Sequence, residues 1–237
     1  MATAVRPRAF VTSLKALATK TAVADVSRFF RNDPYASSSD NKILGVRVGS
    51  IFPLAKQFAD MSLVDIERLL ENKYYEVRMG AVAIMDYQAR RKGISTDERK
   101  ALFDLYIRRH DRINNWDLVD RAAPYVVGGY LVDKPRDVLY RLARSMNPCE
   151  RRTAIVSTYY FIRDGDVDET FRIAELLVAD QNDLVQKAVA SWIREAGKQD
   201  QRRLVRFLET HSASMPRAML RSAAEKLPAR TRAKFTS

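Results

Sequence analysis

An all-α fold, an α-solenoid of stacked helix pairs, is predicted by three features of the sequence. Glycine and proline number only eight each in 237 residues, so turn punctuation is sparse. Strict apolar/polar alternation rarely persists beyond a few residues. The exception is "ILGVRVGSIF" (43–52), which reads as extended after the polar loop "DPYASSSDN". From Ser62 onward, helix-start signals recur roughly 35 residues apart, the length of a helical-hairpin repeat.

The elements follow in order. The first 30 residues are rich in Arg, Ser and Thr, as a transit peptide is, but lack an apolar targeting core. They read instead as two amphipathic helices, with Phe10, Leu14 and Leu17 on one and Val26, Phe29 and Phe30 on the other. Helix starts then stand at Ser62 before "LVDIERLLEN", Ser95-Thr96 before "DERKALFDLYIRR" and Lys134-Pro135 before "RDVLYRLARSM". Asp166 before "VDETFRIAELLVAD" and Asp200 before "QRRLVRFLETH" continue the series. Each is followed by a second helix: "EVRMGAVAIM", "WDLVDRAAPYVV", "ERRTAIVSTYYFI", "LVQKAVASWIREAG" and "PRAMLRSAAEKL". No single pair can bury its apolar face alone. Residues 1–237 are therefore expected to form one domain, with 1–61 as an N-terminal helical cap and 62–230 as repeated pairs whose second helices line a concave groove.

Charge narrows the function. Lys and Arg number 41 against 29 acids, a net charge of +12, which points to polyanionic partners, nucleic acid first and a membrane surface second. No apolar run approaches the roughly 20 residues of a membrane span. The single cysteine, Cys149, allows no internal disulfide; it reads as a small buried or half-buried thiol in a reducing compartment. His110 and His211, too few for a metal site, read as exposed polar residues. There is no glycine-rich phosphate loop and no serine on a nucleophile turn.

Aligning the second helices places Arg78, Asp120, Arg152, Lys187 and Arg217 in one column, each just before a patch of small residues. Four are cations suited to phosphate, and one is an acid that repels it. A solenoid that only gripped a polyanion gains nothing from Asp120, so that residue is a functional candidate. Trp116 stands four residues earlier, on the same face of a helix. By itself Trp116 is ordinary core packing, and Asp117 with Arg121 is an ordinary exposed helix pair. Pro124 removes the helical partner of the Asp120 carbonyl, so the helix should kink or break there. Gly128-Gly129 lets another backbone come close.

These motifs, in this order and spacing, resemble the AlkD-like DNA alkylation-repair family of HEAT-like helical-repeat DNA glycosylases. The likeness runs from "ILGVRV" through "EVRMGAVAIM", "NNWDLVD", "ERRTAIV" and "LVQKAV…REAGK" to "MPRAMLR". It implies excision of cationic alkylated purines, such as 3-methyladenine and 7-methylguanine, from duplex DNA by hydrolysis of the N-glycosidic bond. It also implies that Asp120 is the catalytic carboxylate, that Trp116 packs against the lesion nucleotide, and that Arg152 holds the backbone beside it. Arg78, Lys187, Arg217, Arg47 and Phe29 are the expected DNA contacts, with Trp192 an aromatic near the site. A purine already carrying positive charge leaves without a general acid, so no metal or organic cofactor is needed. A monomer in the bacterial cytoplasm, associated with the nucleoid, is the corresponding expectation.

Three positions depart from the family pattern. Ser191 stands where a tryptophan is usual, with Trp192 displaced by about 100° around the helix. Cys149 occupies another frequent tryptophan position, and Phe29 takes the place of a tyrosine. The aromatic cage is thinner than the pattern, which keeps alive an alternative: a non-catalytic helical-repeat protein that binds distorted or branched DNA. A protein scaffold accounts less well for so basic a chain.

Overall fold

The computed structural model describes residues 5–27, 30 and 41–236, and Phe29 lies outside them. The fold is all-α and helical-repeat in character, and the chain divides into two compact units, Met1–Val126 and Val127–Ser237.

The first unit carries α1 (Val5–Ala16), α2 (Lys20–Ser27), α3 (Val48–Gln57), α4 (Leu63–Leu70), α5 (Tyr75–Ala89), α6 (Thr96–Arg108) and α7 (Trp116–Ala123). Its pairs begin where short-range capping dictates. The Ser62 side chain accepts the Asp65 N–H to start α4, and Ser95 and Glu98 form a reciprocal capping box at α6. Helix α5 is buried along nearly its whole length and packs against α3, α4 and α7. Phe10 and Leu14 of α1 are fully buried, as expected. Leu17 is not: α1 stops at Ala16, and Leu17 falls outside the buried stripe at 42% exposure.

The "ILGVRVGSIF" segment is only half extended. Helix α3 begins at Val48 and buries Ile51, Leu54 and Ala55, so three-to-four spacing wins over alternation in its second half. Ahead of it, residues 42–46 are pinned to the start of α5. Lys42 and Tyr74 form an isolated parallel bridge, and the buried Glu76 carboxylate accepts the backbone N–H groups of Leu44 at 3.0 Å, Gly45 at 2.8 Å and Val46 at 3.3 Å. Gly45 sits at φ +88°, and a Cβ there would lie 2.5 Å from the Thr19 carbonyl oxygen, so both conformation and space require glycine.

The second unit carries α8 (Gly129–Leu131), α9 (Asp137–Ala143), α10 (Pro148–Ser157), α11 (Tyr159–Arg163), α12 (Asp168–Leu177), α13 (Asp183–Ala196), α14 (Gln201–His211), α15 (Arg217–Ala224) and α16 (Ala229–Thr236). Asn147 caps α10 and Asn182 caps α13 through their side-chain oxygens, and Asp200 caps α14 by accepting the Arg203 N–H. Helix α9 starts at Asp137, two residues after Pro135. Arg136 at its N-cap position is held outside the helix by Asp166 at 2.6 Å and by the Val132 carbonyl at 3.2 Å. Within this unit the second helices α10, α13 and α15 pack side by side, while α12 lies against α9 and α13.

Candidate active site

Helix α7 carries both Trp116 and Asp120. Asn115, fully buried, turns the chain into the helix and accepts the Trp116 N–H on its side-chain oxygen at 2.9 Å. Leu118, Val119, Ala122 and Ala123 go into the core, which leaves Trp116, Asp117, Asp120 and Arg121 half-buried around the remainder of the helix. The helix ends at Ala123, and Pro124–Gly128 continues as a single wide π-turn, the break that Pro124 imposes. Beyond the break, in the second unit, a Cβ on Gly128 would lie 2.1 Å from the Ser157 carbonyl oxygen, so that close backbone approach is real.

Asp117 is not the exposed partner of Arg121 that local spacing suggests. Its carboxylate accepts a short hydrogen bond from the hydroxyl of Tyr75, a residue with no solvent exposure, and also caps the Leu118 N–H at 2.9 Å. Burial pushes its carboxyl up to about 6, with nearby Asp120 adding to the rise and the Tyr75 bond opposing it. Burial and the Asp117 charge hold the Tyr75 hydroxyl well above its ordinary value, so it donates as a neutral phenol.

The consequence for stability has a definite sign. A carboxyl that titrates near 6 when folded and near 3.8 when unfolded keeps its proton longer in the native state. Stability therefore falls as pH rises between those values, by on the order of 3 kcal/mol in all. Asp117→Asn, which leaves an oxygen for Tyr75, is expected to unfold at higher denaturant than the parent at pH 7. That advantage should shrink towards zero near pH 4. Urea titrations at the two pH values check it, and an advantage that grows on acidification contradicts the assignment.

Arg121 turns to a different acid. It pairs with the buried Asp86 at 2.9 Å and lies against the rings of Phe52 at 4.3 Å and Tyr87 at 4.9 Å. Asp86 also binds Arg90 at 2.7 Å, and Arg90 stacks on Tyr125 at 3.6 Å. Burial raises the Asp86 carboxyl, against the pull of Arg121 and Arg90. These contacts tie α7 to α5 and account for a cation that the sequence leaves looking solvated.

Arg78 does not belong to an exposed column. It has no solvent exposure, and its guanidinium donates to the Asn72 carbonyl at 2.8 Å, to the Asn114 side chain at 3.2 Å and to Asn41. Buried and bonded in this way it cannot reach a phosphate. It holds the turn that enters α7, one residue before the Asn115 cap. Arg47 is exposed at the start of α3 and lies 3.7 Å from Asp25.

In the second unit, Arg152 on α10 is 8% exposed and donates to the Leu184 carbonyl at the start of α13. Lys187 on α13 and Arg217 at the start of α15 are exposed. Trp192 is half-buried with its ring 5.1 Å from that of Tyr159, and Ser191 beside it is also half-buried. Cys149 is buried, its N–H capped by Asn147 at 2.9 Å. His110 is buried rather than exposed and meets Tyr106 edge-on at 5.5 Å. Among the described residues, no group of three or more His, Cys, Asp or Glu is placed to hold a metal ion, and no helix is long and apolar enough to cross a membrane.

The sequence reading does not single out Tyr75 or Glu76, and it takes Asp117 for an exposed partner of Arg121. Their partners lie 30 to 42 residues away, beyond any local pattern. The one visible signal is an aromatic–acid pair, "YE", opening a helix whose middle, "MGAVAIM", is wholly apolar.

Comparison with known proteins identifies the family and the fold. A sequence model of the family described as DNA alkylation repair enzyme matches residues 10–227. No curated protein matches the chain. A solved structure from Enterococcus faecalis, described as a predicted DNA alkylation repair enzyme, is similar with a TM-score of 0.68 at 14% identity, over 90% of this chain and 97% of that chain. At that identity the likeness speaks for the fold.

Proposed function

This chain belongs to the DNA alkylation repair enzyme family, and from that premise we propose that it is a monofunctional glycosylase acting on cationic N3- and N7-alkylated purines in duplex DNA. The observation that carries the proposal is Asp120, an acid kept half-buried on the same helix as the half-buried Trp116 in a strongly basic chain. An alkylated purine departs with its own positive charge, so the barrier lies in the electron-poor sugar left behind. A carboxylate aimed at that sugar stabilises it electrostatically and orients the attacking water. An indole face attracts the cationic base or sugar, at about 1–2 kcal/mol when water is excluded. Arg152, buried and donating to the Leu184 carbonyl, serves in this reading to order the start of α13 rather than to grip a phosphate directly. In this reading the helix pairs are HEAT-like repeats, and the protein acts as a monomer on bacterial DNA.

Release of 7-methylguanine from methylated duplex DNA tests the reaction directly. A second reading, binding of distorted DNA without chemistry, is favoured by Ser191 and the buried Cys149, which leave fewer aromatic walls. Tight binding with no base release selects it.

Salt dependence separates real phosphate contacts from buried cations. Each neutralised phosphate contributes about 0.9 to the slope of log affinity against log salt. Lys187→Gln and Arg217→Gln should each flatten that slope by about one contact. Arg78→Gln should leave the slope unchanged while lowering stability, since its guanidinium is spent on Asn72, Asn114 and Asn41. A flattened slope for Arg78→Gln in folded protein contradicts its placement.

A further inference from the structure

Between α12 and α14 of the second unit lies a cleft of about 530 Å³ that contains none of the residues discussed above as active-site candidates. Arg172 reaches it from α12, and Arg202, Arg203 and Arg206 reach it from α14, over a base of Phe171 and Phe207. The rings of Phe171 and Phe207 lie 5.5 Å apart, both largely buried, so the base is rigid.

The cations are not balanced by the acids beside them. Arg203 is committed to Asp168 and stacks on Phe171 at 5.1 Å. Arg172 is engaged with the Tyr140 hydroxyl. Asp200 spends its carboxylate on capping α14, and Glu175 sits 3.9 Å from His211. Arg202 and Arg206 are both exposed, and neither guanidinium has an acceptor among the described residues. They stand four residues apart on one helix, a like-charge pair that weakens the free helix. Neither adds to the core. An arrangement that costs stability and packs nothing is explained by an anion that joins the pair, and guanidinium forks match the oxygens of phosphate.

We propose that this cleft is a second phosphate-binding site, taking the phosphate of a nucleic-acid backbone or of a free small anion. It lies between first helices of the pairs, whereas Arg152, Lys187 and Arg217 are carried by the second helices α10, α13 and α15. It therefore shares no residue with the candidate active site, and its failure leaves the glycosylase proposal untouched.

The test uses the full chain and an Arg202→Gln/Arg206→Gln double variant, with Lys187→Gln/Arg217→Gln as control. Both arginines are exposed, so the double variant should fold. Titrations with pyrophosphate and with an undamaged duplex distinguish the sources. Expected for a backbone contact is a flattening of the duplex salt slope by about two contacts in the double variant. Expected for a free anion is at least a tenfold loss of pyrophosphate affinity in the double variant, with the control unaffected. Unchanged slope together with unchanged pyrophosphate affinity overturns the proposal, as does a loss of pyrophosphate binding in the control alone.

Discussion

Asp120→Asn is expected to slow single-turnover release of 7-methylguanine from duplex DNA on the order of 10²–10³-fold, the usual loss when one preorganised electrostatic contact to a transition state is removed. The substitution keeps the size and nearly the shape of the side chain and deletes its charge. If that charge serves a sugar cation, it acts mainly in the transition state, so rate falls while ground-state binding survives. Affinity for undamaged duplex should rise slightly, because an acid has left a basic protein. Asp117 supplies a control one turn away on α7. It is bonded to Tyr75 and the Leu118 N–H, so Asp117→Asn should change stability with pH far more than it changes base release. Equal release by the parent and Asp120→Asn refutes the catalytic assignment. No release by either protein, with tight binding intact, hands the case to the non-catalytic reading.

What was legible in the sequence is what short-range chemistry decides. Ser62, Ser95 and Asp200 each accept an N–H three residues ahead, so the helix starts they mark are fixed within one turn. Pro124 ends α7 for an equally local reason, its missing N–H. The rest was set by tertiary contacts. Local spacing offers Arg121 to Asp117, but the buried Asp86, a full helix pair upstream, takes it, while Asp117 is satisfied by the Tyr75 hydroxyl and the Leu118 N–H. Arg78 lines up with exposed cations in sequence yet is buried, since the turns into α5 and α7 bring the Asn72 carbonyl and the Asn114 side chain to it as acceptors. Burial of polar groups follows from which partners the fold brings near, and periodicity does not carry that information.

Glu76→Ala is expected to cost about 3–5 kcal/mol of folding stability, the range for leaving buried polar groups without a charged partner. The carboxylate has no solvent exposure and gathers the N–H groups of Leu44, Gly45 and Val46, which have no helix or sheet to pair with. Removing it orphans several donors at once, each at about 1–3 kcal/mol, less whatever entering water recovers. Glu76→Gln keeps one acceptor oxygen but turns an amide NH₂ towards N–H groups, so it should fall between parent and alanine. The effect reaches beyond stability, because the same loop leads directly into Arg47 and the start of α3. At temperatures where the variants remain folded, the loosened loop should lower duplex affinity by no more than one phosphate contact is worth. Urea unfolding gives the first quantity and a salt-series binding titration the second. A loss below about 1 kcal/mol for Glu76→Ala, or a glutamine variant less stable than the alanine one, shows that the carboxylate is not what holds residues 44–46.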